Sequence, residues 1–120
     1  MARYYEAHID AGADWFCSVD YTDANGDPID LTGYIARWTF KNSYSDETAL
    51  ATLTTATDEG LTINVGNIAA HLFKSLSINF ADNVNTEGVH DLEIESPEGI
   101  VTRLLGGPWF GYPEASKGSS

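Results

Sequence analysis

The chain has 120 residues, with 18 acidic and 6 basic side chains, a formal charge of -12 and a single cysteine. That length holds one hydrophobic core and leaves no room for a second domain. The charge argues against the phosphate-neutralising surface that nucleic-acid binding requires, and it resists adhesion to anionic membranes.

Cys17 has no partner for an internal disulfide, and no stretch approaches transmembrane length. Residues 1–8 lack the apolar run of a signal sequence, so the expectation is a soluble protein made in a cytoplasm. Over residues 1–30, Glu6, Asp10, Asp14, Asp20, Asp23, Asp27 and Asp30 stand against Arg3 alone. This reads as a solvated acidic face, with a docking patch for a basic partner as the alternative.

In chain order, the first strand signal is Trp15, Cys17, Val19 and Tyr21 alternating with Phe16, Ser18, Asp20 and Thr22. Cys17 lies inside this apolar run with no basic neighbour to lower its pKa, so it reads as a small core residue and not a reactive thiol. The Asn25-Gly26 pair is a strong turn signal, and Leu31-Thr32-Gly33 makes a corner. Over residues 34–41, Ala36, Trp38 and Phe40 face one way and Arg37, Thr39 and Lys41 the other, with Trp38 at the predicted core centre.

Residues 42–48 read as a loop and 49–55 as a short strand with a thin interior face. Leu61, Ile63 and Val65 alternate, and Gly66-Asn67 turns the chain into a second strand over 68–73, giving a hairpin. Leu76, Ile78 and Phe80 alternate like a strand, to be followed by a turn or helical corner at 81–84. His90, Leu92 and Ile94 then alternate with Asp91, Glu93 and Glu95. Ser96-Pro97-Glu98-Gly99 makes a turn, with Pro97 presetting φ and Gly99 free to be left-handed. The return strand runs from Ile100 and is expected to stop at Gly106-Gly107-Pro108. Short strands at intervals of about ten residues predict an all-β fold, an Ig-like antiparallel β-sandwich of about seven to nine strands. The domain spans residues 1–113, with a polar tail at 114–120.

Candidates for chemistry are few. His8, His71 and His90 fall on different predicted strands without metal-ligand spacing; His71 and His90 read as surface or satisfied boundary histidines. Nucleophile elbows, zinc-binding helices and phosphate loops are missing, and the many paired carboxylates carry no specific signal. The loop over 23–30 offers four side-chain oxygens to calcium, but lacks EF-hand spacing and reads as a hairpin loop. No catalytic residue, metal or cofactor is therefore expected. Trp15, Phe16, Trp38 and Phe40 are expected in the core. Tyr4, Tyr5, Trp109, Phe110 and Tyr112 lie outside the clearest core pattern. They are candidate assembly contacts, or else they close the two edge strands.

Several segments together resemble a widespread group of small tailed-bacteriophage proteins. They are Gly12-Ala13-Asp14-Trp15, residues 23–37 including Asp30-Leu31-Thr32-Gly33, residues 60–63, residues 91–99 and residues 101–107. In architecture the chain is similar to the N-terminal Ig-like domains of phage baseplate upper proteins, where an Asp-Leu-Thr-Gly corner begins a strand. His90 stands where that group usually has Tyr, and residues 108–113 replace its Val-Thr-rich last strand. The resemblance implies a non-enzymatic virion protein in the tail, neck or fibre-attachment region, with capsid decoration as the alternative. Its partners would be other virion proteins in a homo-oligomer or symmetric array, without nucleic acid or membrane. From another class, the fold would serve as a carbohydrate-binding module, with Trp109 and Tyr112 stacking on sugar rings.

Overall fold

Alternating apolar and polar side chains lay this chain out as nine strands and one helical turn in a computed structural model, which describes residues 3–56, 59–77, 80 and 87–113. The strands are β1 (Arg3–Tyr4), β2 (Ala7–Asp10), β3 (Trp15–Asp20), β4 (Ile35–Lys41), β5 (Ala51–Thr54), β6 (Leu61–Asn64) and β7 (Asn67–Leu72). Helix α1 (Lys74–Ser77) precedes β8 (Glu87–Glu95) and β9 (Val101–Tyr112). One sheet has the order β1-β9-β8-β4-β5, with β2 continuing β1 along β9; the other has the order β3-β7-β6. Inward side chains of both sheets share one core, among them Val19, Ile68 and Leu72 from the smaller sheet and Trp38, Phe40, Leu92 and Trp109 from the larger.

The strands pair antiparallel, except that β1 and β2 run parallel to β9. Two facing sheets with this order make an Ig-like β-sandwich. Trp38 is wholly buried, as expected, and its ring lies 5.5 Å from Trp15, 5.8 Å from Phe40 and 6.4 Å from Tyr5.

The β8–β9 hairpin follows its turn chemistry. Gly99 N–H donates to the Ser96 carbonyl at 2.9 Å and Ser96 N–H to the Ile100 carbonyl at 2.9 Å, with Gly99 at φ +91°. This is a tight turn closed by a left-handed glycine, the geometry that Pro97 and Gly99 favour. His90, Leu92 and Ile94 all point inward.

Five local expectations are corrected. Gly106-Gly107-Pro108 does not end β9, which runs on to Tyr112. Pro108, with no N–H to give, falls where β9 faces the gap between β1 and β2, since β1 pairs up to Gly106 and β2 begins at Trp109. The strand expected from Leu76 is instead helix α1, whose first N–H, from Lys74, donates to Asp14 Oδ1 at 3.1 Å. The corner expected at 81–84, like the tail at 114–120, lies outside the described residues. The β6–β7 turn sits at Val65 and Gly66, one residue earlier than Gly66-Asn67.

Phe16 is not core: β3 turns Trp15, Cys17 and Val19 inward, so its own parity sends Phe16 to the surface, 69% exposed. His90 is satisfied at both ring nitrogens, but it lies inside the core and not at the surface or boundary: it is 1% exposed, in step with Leu92 and Ile94.

Candidate functional site

The five candidate assembly residues divide between the two sides of the larger sheet. In a strand, alternate residues face opposite ways, so the register of β2 on β9 decides the matter. His8 stands beside Phe110 and Asp10 beside Tyr112, with their side chains outward. Ala7 stands beside Trp109, and both are buried. Trp109 is 0% exposed, its indole N–H donating to the Lys41 carbonyl at 2.8 Å and its ring edge-on to Phe80 at 4.8 Å. It is a core residue, which corrects its place among the assembly contacts and leaves no Trp109 platform for sugars. Tyr5 also packs against the core, with its ring near Trp38.

Tyr4, Phe110 and Tyr112 do gather on one surface, along the edge formed by β1, β2 and the outer side of β9. Tyr4 is 70% and Tyr112 44% exposed. A polar chain ties them together. Tyr4 OH donates to Glu6 Oε2 at 2.9 Å, the other Glu6 oxygen lies 3.5 Å from His8 Nε2, and His8 Nδ1 meets Tyr112 OH at 2.5 Å. The His8 ring stacks on Phe110 at 5.3 Å and on Tyr112 at 5.8 Å, with interplanar angles of 23° and 14°. The Glu6 carboxylate raises the Tyr4 pKa, because it is hydrogen-bonded to the phenol and would repel the phenolate. Next to this edge, Tyr4, Tyr44, Val89 and Pro108 wall a shallow, largely apolar trough of about 480 Å³ whose floor includes Gly106 and Gly107.

Farther across the same sheet the outward residues are charged and paired. Arg37 donates to Glu93 at 3.4 Å, and Arg103 lies 3.8 Å from Asp91. Burial raises the Asp91 pKa, against the pull of Arg103. Sequence reading missed His8 and Tyr44. His8 carries a usable signal, since it alternates with Ala7 and Ile9 and stands two positions from Glu6. Tyr44 carries none, because it lies in the loop after β4 and reaches the trough only through the fold.

The smaller sheet has a second exposed aromatic group. The His71 ring lies 4.4 Å from Phe16 and 4.3 Å from Phe73, and its Nε2 is 3.0 Å from Asp14 Oδ1. Hydrogen bonds from His71 and from the Lys74 backbone lower the Asp14 pKa.

Cys17 is half-buried, with its thiol 3.5 Å from Tyr5 OH; burial raises the pKa of both groups, that of Tyr5 to about 12. In the 23–30 loop, Asp23 Oδ1 accepts from the Asn25 and Asp27 N–H groups at 2.9 and 3.0 Å, which closes the loop on itself. Among the described residues no three His, Cys, Asp or Glu side chains converge as a metal site would require. No described helix is long and apolar enough to cross a membrane.

No protein-family model matches the sequence, and no curated protein matches it. Among solved structures, the chain is similar to one from a study of multimeric cell-adhesive interactions of VGSC beta subunits. The TM-score is 0.48 at 11% identity, over 92% of this chain and 92% of that one. It is also similar to the first Ig-like domain of human CD48 antigen, with a TM-score of 0.46 at 6% identity, over 97% of this chain and 88% of that one. The Ig-like assignment itself rests on the strand order described above.

Proposed function

We propose that the chain is a non-catalytic Ig-like assembly module of a tailed-phage virion, placed in the tail, neck or fibre-attachment region. It docks on a neighbouring virion protein through the edge face of Tyr4, Phe110 and Tyr112. The observation that carries the reading is the fixed aromatic edge itself. Three large rings and His8 are held rigidly at the surface by stacking and by the Glu6 and Tyr112 hydrogen bonds, so little side-chain entropy is lost when they are covered. The resemblance of residues 12–15, 23–37, 60–63, 91–99 and 101–107 to small phage proteins supplies the virion context.

The test is immunogold labelling of particles purified from the source that encodes the chain, combined with the double variant Tyr4→Ala and Tyr112→Ala. Label at the tail or neck that disappears with the double variant, while the variant stays folded, supports the reading. Label spread over the shell would make the chain a capsid decoration protein. Particles without label would refute a virion role.

A further inference from the structure

Tyr5 lies where the N-terminal strand is interrupted, and the interruption is held by a side chain. The Tyr5 N–H donates to the Gly106 carbonyl at 3.0 Å, while its own carbonyl accepts from His90 Nε2 at 2.7 Å. The other ring nitrogen, His90 Nδ1, lies 3.0 Å from the indole Nε1 of Trp38. A carbonyl oxygen can only accept and an indole N–H can only donate. His90 must therefore carry its proton on Nε2 and keep a lone pair on Nδ1. The ring is enclosed by Phe40, stacked at 5.7 Å, and by the edge of the Tyr5 ring at 5.9 Å. A second proton has one place to go, and that place faces the Trp38 N–H.

We propose that His90 is an acid-sensitive latch on the N-terminal strand. Protonation at Nδ1 sets two N–H donors against each other inside the core, which costs more than an ordinary lost hydrogen bond because neither donor can turn to water. The ring leaves Trp38, the Tyr5 carbonyl loses its donor, and residues 3–10 detach from β9.

Three features make this strand the part that yields. Among the described residues it pairs with β9 alone, at the edge of the sheet, and its two short ladders flank the Tyr5 interruption. Tyr5 also lies so close to β9 that a Cβ on Gly107 would come within 2.5 Å of its carbonyl oxygen, so the docked position tolerates little adjustment. Detachment uncovers the 12-residue β9 as a new sheet edge, together with the apolar ground beneath Ala7 and Ile9.

The groups around His90 are consistent with a neutral ring. β4 presents the uncharged Trp38 and Phe40; the N-terminal segment presents the Tyr5 phenol, itself bonded to Cys17 of β3. Asp91, next along β8, favours the charged ring, as does the Tyr5 carbonyl, but burial outweighs both and lowers the His90 pKa. Lys41, Glu93 and Arg103 line a separate hollow on the outer side of the sheet, with Thr39 and Asp91. A lowered His pKa means that the unfolded or detached chain binds the proton more tightly. The latch is thus fully closed above the ordinary value of 6.5 and opens as pH falls from there toward the lower native value.

The experiment is amide hydrogen exchange of the whole chain between pH 7 and pH 5, corrected for the intrinsic pH dependence of exchange, beside the nitrogen spectrum of the His90 ring. The expected result is an Nε2–H tautomer at pH 7. Exchange at residues 5–10 should rise about tenfold or more as the ring gains its second proton, with β4 and β8 still protected. In His90→Gln, whose amide can donate to the Tyr5 carbonyl without titrating, the rise should vanish although His8 is retained. Three results would overturn the latch: an Nδ1–H tautomer, loss of protection spread evenly over all strands, or the same rise in His90→Gln. Should that variant not fold, the tautomer and the strand-specific exchange of the unaltered chain decide alone.

Discussion

Replacing Trp109 distinguishes a core residue from a surface anchor, and the two roles predict opposite outcomes. The side chain is fully buried, gives its N–H to the Lys41 carbonyl at 2.8 Å and meets Phe80 edge-on at 4.8 Å. Removing a buried tryptophan ring costs about 3–5 kcal/mol in lost transfer and cavity terms. The orphaned Lys41 carbonyl adds about 1 kcal/mol more. A domain of this kind has about 5–15 kcal/mol in hand, so Trp109→Ala stands close to the unfolding threshold. Trp109→Phe is the measurable version: it keeps an aromatic ring against Phe80 and forfeits the hydrogen bond and part of the volume, about 1–3 kcal/mol. Urea unfolding followed by far-ultraviolet circular dichroism reads both. With a slope of about 2 kcal/mol/M, the midpoint should fall by about 0.5–1.5 M for the phenylalanine variant and about 2–3 M for the alanine variant. A midpoint unchanged within about 0.25 M, equivalent to about 0.5 kcal/mol, would place the ring at the surface and refute the packing described here.

Other predictions follow from particular atoms. Gly99 has φ +91° and open space where a Cβ would go, so Gly99→Ala should cost about 1–2 kcal/mol through the backbone alone, a fall of about 0.5–1 M in urea midpoint, leaving assembly unaffected. The Asp14 pKa is lowered, so its contribution to stability is complete above the ordinary value of 3.8 and disappears as pH falls through the lower native value. The urea midpoints of Asp14→Asn and the unaltered chain should therefore differ at pH 6 and converge in strong acid. The Cys17 thiol, half-buried with its pKa raised by burial, should react with a disulfide reagent at least about tenfold more slowly in the native chain than in urea. Equal rates would show the thiol to be exposed.

What could be read from the sequence was what depends on neighbours in the chain. Pro97 and Gly99 specify their turn by themselves, and six residues of strict alternation from Ala36 to Lys41 leave one choice of inward face. What could not be read depends on residues far away. Helix α1 begins where Asp14, 60 positions earlier, caps Lys74, and Ser77 ties it down by donating to the Ala13 carbonyl at 2.6 Å. Nothing in residues 74–80 records that help, so the alternation of Leu76 and Phe80 suggests a strand. The continuation of β9 past Pro108 depends on a gap in a strand some 100 residues earlier in the chain. Trp109 reads as an assembly residue for that reason, and the division of the aromatic candidates between core and edge is hidden with it. Phe16 differs, because strand parity already points it outward and hydrophobicity alone suggests the core.

Antibody-type Ig domains fasten their two sheets with a disulfide against which the central tryptophan packs. This chain has one cysteine, and the β8 side chain hydrogen-bonded to Trp38 is His90. The fastening is a cluster of rings, with Trp38 among Tyr5, Trp15, Phe40 and His90, closed by the two hydrogen bonds of the neutral imidazole. Aromatic pairs contribute about 0.5–1.5 kcal/mol each beyond burial, and hydrogen bonds about as much. Several together reach the 2–5 kcal/mol, roughly, that a native disulfide supplies to a small domain. The two kinds of fastening fail differently. A disulfide is undone by electrons and ignores mild acid, whereas this cluster ignores reductants and is weakened by a proton on His90, which frees the N-terminal strand. Urea midpoints should accordingly be the same with and without a strong thiol reductant, and should fall when pH is lowered from 7 toward 5. A midpoint that dropped on reduction would mean that a covalent link through Cys17 to a second chain, and not the ring cluster, holds the sandwich together.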